Sequence, residues 1–183
     1  MYFSKIAVVL SLALSAIAAP AGTSTTAAAA HNKRALTFRP YNSFQISDGV
    51  GGGALQAVNA AFPVGNDPAS ISAADLAVLK AARQTAENAE SAFNDAISAA
   101  GGTKSAAGAP LQVGKIRNKV LKLRLFEMVV SAEQAAGRGG AAAAGAKLAD
   151  IRKKLASNVA TDTKSAGQAS KGVAFAADVR PKA

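Results

Sequence analysis

The stretch Leu111-Gln112-Val113-Gly114-Lys115-Ile116-Arg117-Asn118-Lys119-Val120-Leu121-Lys122-Leu123-Arg124-Leu125-Phe126-Glu127-Met128-Val129-Val130 decides the fold. At about 100° per residue, Val113, Ile116, Val120, Leu123 and Val130 make one apolar stripe along a helix. Leu121, Leu125, Met128, Ala132 and Ala135 make a second stripe well away from the first. A helix that is apolar on two sides has to bury both, so the pattern predicts a central helix over 111–136 with neighbours on either hand. Lys115, Lys119 and Lys122 project between the stripes on one side, and Arg117 and Arg124 on the other.

Upstream, Ser72 and Asp75 resemble a capping box, and Leu76, Leu79, Ala82, Ala86, Ala89, Phe93, Ile97 and Ala100 follow in steps of three and four. That predicts a one-faced helix ended by Gly101-Gly102. Farther upstream, Ser47 or Asp48 can cap a helix stopped by Pro63, with Ile46, Val50, Leu55, Val58 and Phe62 as core candidates. The glycines at 49 and 51–53 weaken its first turns by about 1 kcal/mol each relative to alanine.

Downstream, Ala144, Leu148, Ile151, Leu155 and Val159 give a helix over 142–171 its buried face, with Asp150 and Lys154 as a supporting pair four apart. Residues 35–46 read as an extended arm and 173–183 as a tail. Short connections between four such helices predict an all-α, antiparallel up-and-down bundle with a flexible N-terminal segment. The stripes are too short and alanine-rich for a coiled-coil dimer, so a monomer is expected.

The beginning of the chain has a different character. Lys5, an apolar run over 6–17 and the small residues Ala16 and Ala18 have the build of a secretory signal peptide, with cleavage expected after Ala18. The run falls short of the roughly 20 residues a membrane span needs. A Ser/Thr/Ala segment follows and ends in Lys33-Arg34, a dibasic pair suited to a Kex2-type protease. Processing there leaves a single helical domain of residues 35–183. Losing Lys5, Lys33 and Arg34 leaves 18 basic residues against 11 acidic ones, lowering the net charge from +10 to +7.

The 183 residues contain no cysteine, and the one histidine, His31, lies in the segment expected to be removed. Nucleophile systems built on histidine or cysteine are excluded for the processed chain, as are zinc sites with those ligands. No cofactor is expected. Glu87 and Glu90 share a helical face and are the remaining acid and base candidates, but the pair reads better as a solvated charged face. The glycine run at 49–53 lacks the G-K-[ST] ending of a phosphate loop.

Several motifs are similar to those of a family of small secreted, effector-like proteins of filamentous ascomycete fungi. They are Phe44-Gln45-Ile46-Ser47-Asp48-Gly49, Phe62-Pro63, the 111–123 stretch, Gly167-Gln168-Ala169-Ser170 and Val173-Ala174-Phe175. The resemblance implies a secreted, extracellular destination and carries over no catalytic residues; it implies no mechanism. The favoured expectation is a non-enzymatic protein that binds a host or cell-surface macromolecule. The basic balance makes an anionic partner the expectation, with Lys115, Lys119 and Lys122 as the candidate binding strip. Nucleic acid ranks lower, because helix 111–136 has its cations on two sides and few stacking aromatics. A hydrolase using carboxylates ranks lower still.

Overall fold

The computed structural model describes residues 35–138 and 140–182. In chain order, the elements are a one-turn helix α1 (Tyr41–Phe44), strand β1 (Gly49–Val50), helix α2 (Ala54–Ala61), a 3-10 turn (Pro68–Ser70), helices α3 (Ala73–Ala99), α4 (Gly108–Ala135) and α5 (Ala141–Lys164), and strand β2 (Ala169–Ser170). The expected small all-α bundle is the observed architecture. The three long helices run antiparallel. Along α3 and α4 the contacts pair Asn94 with Lys115, Glu90 with Lys122 and Lys80 with Glu133, so one number rises as the other falls. Along α4 and α5 they pair Arg117 with Asp162 and Glu127 with Arg152.

α4 is the central element, touching α2, α3, α5, the 3-10 turn and β2. Its two stripes explain that position. Val120, Leu121 and Leu125 are fully buried, and Leu123, Met128 and Val130 nearly so. α3 begins where the sequence places it, with the Ser72 hydroxyl accepting from the Asp75 N–H at 3.0 Å, and ends at Gly101-Gly102, where the Gly102 N–H closes on the Ile97 carbonyl. Its face from Leu76 to Ile97 is buried at all seven expected positions, while Ala100 is half-exposed. Tyr41, Phe44 and Phe62 cover this core edge to face, with ring centroids 5.5 and 5.6 Å apart, and Phe175 adds a fourth ring 5.8 Å from Tyr41. Each such burial contributes about 1.5–3 kcal/mol.

Two buried polar groups on α4 organise the segments around it. Asn118, fully buried, donates to the Ala86 carbonyl of α3 and accepts from the Tyr41 hydroxyl at 2.8 Å, pinning α1 to the helix pair. The Arg117 guanidinium donates to the carbonyls of Ile46 and Val50 and lies 3.9 Å from Asp162 of α5. Asp162 in turn accepts from the Ala54 N–H at 2.9 Å. The start of α2 has no side-chain cap of its own, so a carboxylate 108 residues away supplies the acceptor that its first turn lacks.

Several expectations are corrected. The first helix starts at Ala54, not at Ser47 or Asp48, because residues 49–51 pair instead with 166–170: Gly49 faces Ser170 and Val50 faces Ala169 in the antiparallel ribbon, and Gly51 bridges to Ala166. Val50, a core candidate, is the one large apolar side chain left exposed among the described residues, at 58%. The glycine run is a fitted crossing. A Cβ on Gly51 would stand 2.4 Å from the Ser165 carbonyl oxygen, and Gly52 takes φ +99° beside Ala166. α5 ends at Lys164, short of the expected 171, because its chain must turn at Gly167 to form that ribbon. Within the expected extended arm, residues 41–44 close into α1. Ala135 of the second stripe is exposed, and Arg117, expected on a projecting side, is buried.

The expected tail has no regular secondary structure, yet it is fastened. The Gly172 N–H donates to Asp48, the Tyr41 N–H to Asp178, the Val179 N–H to the Thr85 hydroxyl, and Arg180 stacks over Phe38 at 4.4 Å. Gly114 makes its crossing possible, since a Cβ there would lie 2.0 Å from the Lys171 carbonyl oxygen.

Candidate functional site

Two cationic regions lie on different sides of α4. The first contains the expected strip. At about 100° per residue, Lys115, Lys119, Lys122 and Phe126 fall within about 60° of one another, facing outward between α3 and α5. The structure places all three lysines half-buried along the α3–α4 seam. The Lys115 ammonium donates to the Asn94 side chain, and Lys122 pairs with Glu90 at 2.6 Å. Lys119 makes no ion pair among the described residues. The Phe126 ring receives one cation from each flanking helix, Arg83 of α3 at 4.4 Å and Lys147 of α5 at 4.9 Å. Glu87 is held by Arg83 at 2.6 Å. Glu87 and Glu90 thus each carry a cation of their own, and nothing joins them as an acid and base pair.

The second region went unrecognised as a unit. The loop between α2 and α3 folds beside α4 and α5 and leaves a cleft of about 130 Å³. Val64, Pro68, Ile71 and Met128 supply its apolar lining, and Asn66, Arg124, Glu127, Ser131 and Arg152 its polar one. An adjoining lobe of about 200 Å³ extends over Asn59, Phe62 and Pro63. Glu127 is held between two guanidiniums, accepting from Arg124 Nη1 at 2.7 Å and Arg152 Nε at 2.8 Å. Burial alone would raise its carboxyl, but the hydrogen bonds from Arg152 and Arg124 and their charges outweigh it and hold the group below its ordinary value. Arg124 is further fixed by donating from Nε to Asn59.

The spacing of Arg124 and Glu127 was legible in sequence as an i,i+3 pair. Nothing local announced that Arg152 would arrive from α5. The Tyr41 phenol, the other shifted group, is pushed well above its ordinary range by burial, so it serves as a hydrogen-bond donor and not as an acid. Among the described residues no cluster of three or more metal-ligating side chains exists, and no helix is long and apolar enough to cross a membrane. Ala18, Lys33 and Arg34, the expected processing residues, lie outside the described residues.

These features define a small antiparallel helical bundle whose terminal segments are fastened across it, with cationic surface on two sides of a central helix. The chain belongs to the family described as Domain of unknown function (DUF8454), whose profile matches residues 36–174. No curated protein and no solved structure matches the chain.

Proposed function

We propose that this chain is a secreted, non-enzymatic binding protein of the fungal small-secreted, effector-like type, and that it engages an anionic host or cell-surface macromolecule through Lys115, Lys119 and Lys122. The observation that carries the reading is the cationic strip of α4, where those lysines lie along the α3–α4 seam in line with Phe126, whose ring Arg83 and Lys147 share. A run of positive groups set in a helix groove attracts a polyanion and raises its rate of encounter. The Phe126 ring is already engaged by two cations and is not offered to a base, so an acidic polysaccharide or headgroup surface fits better than nucleic acid.

Secretion and maturation belong to the same proposal: cleavage after Ala18, trimming after Lys33-Arg34, and release of a chain starting at Ala35. Its support is the three-part build of the first residues and the start of the family match at residue 36, just beyond the dibasic pair.

The test is a variant with Lys115, Lys119 and Lys122 all changed to glutamine. Glutamine is preferable to glutamate because Lys122 faces Glu90, and reversing it would set two carboxylates together. The variant is expected to keep its helical circular dichroism while eluting from heparin at much lower salt and losing host-surface binding. Retention and binding equal to wild type would refute the strip. A steep salt dependence shared equally by heparin and single-stranded DNA would favour the nucleic-acid alternative. N-terminal analysis of protein from culture medium is expected to read Ala35; a chain found only inside cells would remove the secreted role.

A further inference from the structure

We infer that the cleft between the 62–71 loop, α4 and α5 is a binding site for a small organic acid, a carboxylate carried on an apolar body. The site lies about 160° around α4 from the lysine strip, so it stands independently of the polyanion reading. Its polar half has donors to spare. A guanidinium carries five N–H donors; Arg152 commits only Nε within the protein, and Arg124 commits Nε and Nη1. Glu127 has both oxygens occupied and its carboxyl held ionised, so it orients the two arginines and takes no further cation. Two guanidiniums about one carboxylate leave a local charge of +1, which a ligand anion would neutralise.

The neighbouring side chains point to the same class. Asn66 and Ser131 line the cleft, and neither side chain has a hydrogen-bond partner among the described residues. Together with the free guanidinium edges they offer an amide, a hydroxyl and planar paired donors, the geometry that recognises a carboxylate. The rest of the lining is apolar, with Val64 and Met128 buried beneath it. A bare inorganic anion would leave that surface unfilled, whereas a carboxylate with a ring or short hydrocarbon covers it. The volume of about 130 Å³ suits a ligand of that size, and the adjoining lobe allows a longer body.

The probes are benzoate, its neutral analogue benzamide and inorganic phosphate, each titrated into the 15N-labelled chain starting at Ala35 and followed by amide and arginine side-chain shifts. Benzoate is expected to give saturating shifts at Asn66, Ser131 and the Arg124 and Arg152 side chains. Binding should weaken about tenfold or more in Arg152→Ala and a few-fold in Ser131→Ala, as expected for one charged and one neutral hydrogen bond. Arg152 is largely exposed, so its loss leaves the fold intact, and Arg152→Lys should retain only part of the affinity because it keeps the charge without the fork.

Benzamide is expected to bind much more weakly than benzoate, and phosphate more weakly too. The inference is overturned if benzoate shifts fail to saturate, if they map to the lysine strip, if Arg152→Ala leaves them unchanged, or if benzamide binds equally. Tighter binding of phosphate at the same residues would overturn the carboxylate assignment.

Discussion

Replacing Asp162 by alanine tests whether a single carboxylate ties three segments together. In the native chain its Oδ2 accepts from the Ala54 N–H at 2.9 Å, and Oδ1 faces the Arg117 guanidinium at 3.9 Å, with the two side chains only 3% and 8% exposed. Removing it leaves a buried guanidinium without its counter-charge and a helix N-terminus without its acceptor. Breaking a buried pair from one side costs about 3–5 kcal/mol. The long separation, and the two carbonyls that Arg117 keeps, place this case at the lower end, about 3 kcal/mol. For a domain of this size that lowers the melting temperature by about 6–12 °C.

Asp162→Asn retains an acceptor for Ala54 and should lose about half as much, so the difference between the two variants separates the cap from the charge. Arg117→Met, which removes the buried charge while filling its volume, should make the double variant less unstable than the two single losses predict. Denaturant unfolding followed by circular dichroism supplies all four values. A loss below about 0.5 kcal/mol for Asp162→Ala, within the range of ordinary surface changes, or strict additivity with Arg117→Met, would refute the linkage.

Tyr41→Phe removes the donor to Asn118 and should cost about 1–2 kcal/mol, read by the same unfolding assay. Because burial raises the Tyr41 phenol above its unfolded value, the neutral group's contribution is present in full below about pH 10 and is lost as the pH rises from there through the folded value. The chain from Ala35 has Tyr41 as its only tyrosine, so its ultraviolet ionisation should coincide with alkaline unfolding and not precede it. Gly114→Ala should displace the 171–182 segment and destabilise the protein, since its Cβ meets the Lys171 carbonyl at 2.0 Å, whereas Gly145→Ala, in open space on α5, should stabilise by about 0.5–1 kcal/mol; thermal melts compare the two. Glu127 has its carboxyl held low, so the stability it contributes is present above about pH 4.3 and lost as the pH falls through its folded value; acid unfolding of Glu127→Gln should be less steep over that window.

The long helices were legible because their signals are local. The Ser72 cap, the steps of three and four from Leu76 to Ile97, the glycine pair at 101–102 and the two stripes of 111–136 are each decided within a few turns of chain. Residues 46–54 were not legible, because their conformation is imposed from a distance. Asp48 reads locally as a helix cap, yet its carboxylate receives the Gly172 N–H. The acceptor that α2 uses comes from α5, and the glycines that look like helix weakness make room for Ser165 and Ala166. The lysine strip could be read from spacing alone, although its partners Asn94 and Glu90 could not. The cleft at Arg124, Glu127 and Arg152 assembles residues from three segments, of which only one pair has a local spacing.

The fastening of the final segment has a consequence for the order in which the molecule forms. Tyr41 is held by Asp178, 137 residues later, Asp48 by Gly172 across 124, and Ala54 by Asp162 across 108. Contacts of such separation require large loops to close, and each doubling of loop length adds about 0.6 kcal/mol of closure entropy. The α3–α4 hairpin can assemble early from near neighbours, but segments 41–54 reach their final conformation only after residues 162–178 are in place. Folding is therefore completed late, by a step whose speed is set by ring closure and not by helix formation. A permuted chain that joined residues 180 and 38 and opened at the turn after α4 would bring these distant pairings closer in sequence while giving up the Leu36 N–H bond to Asp75.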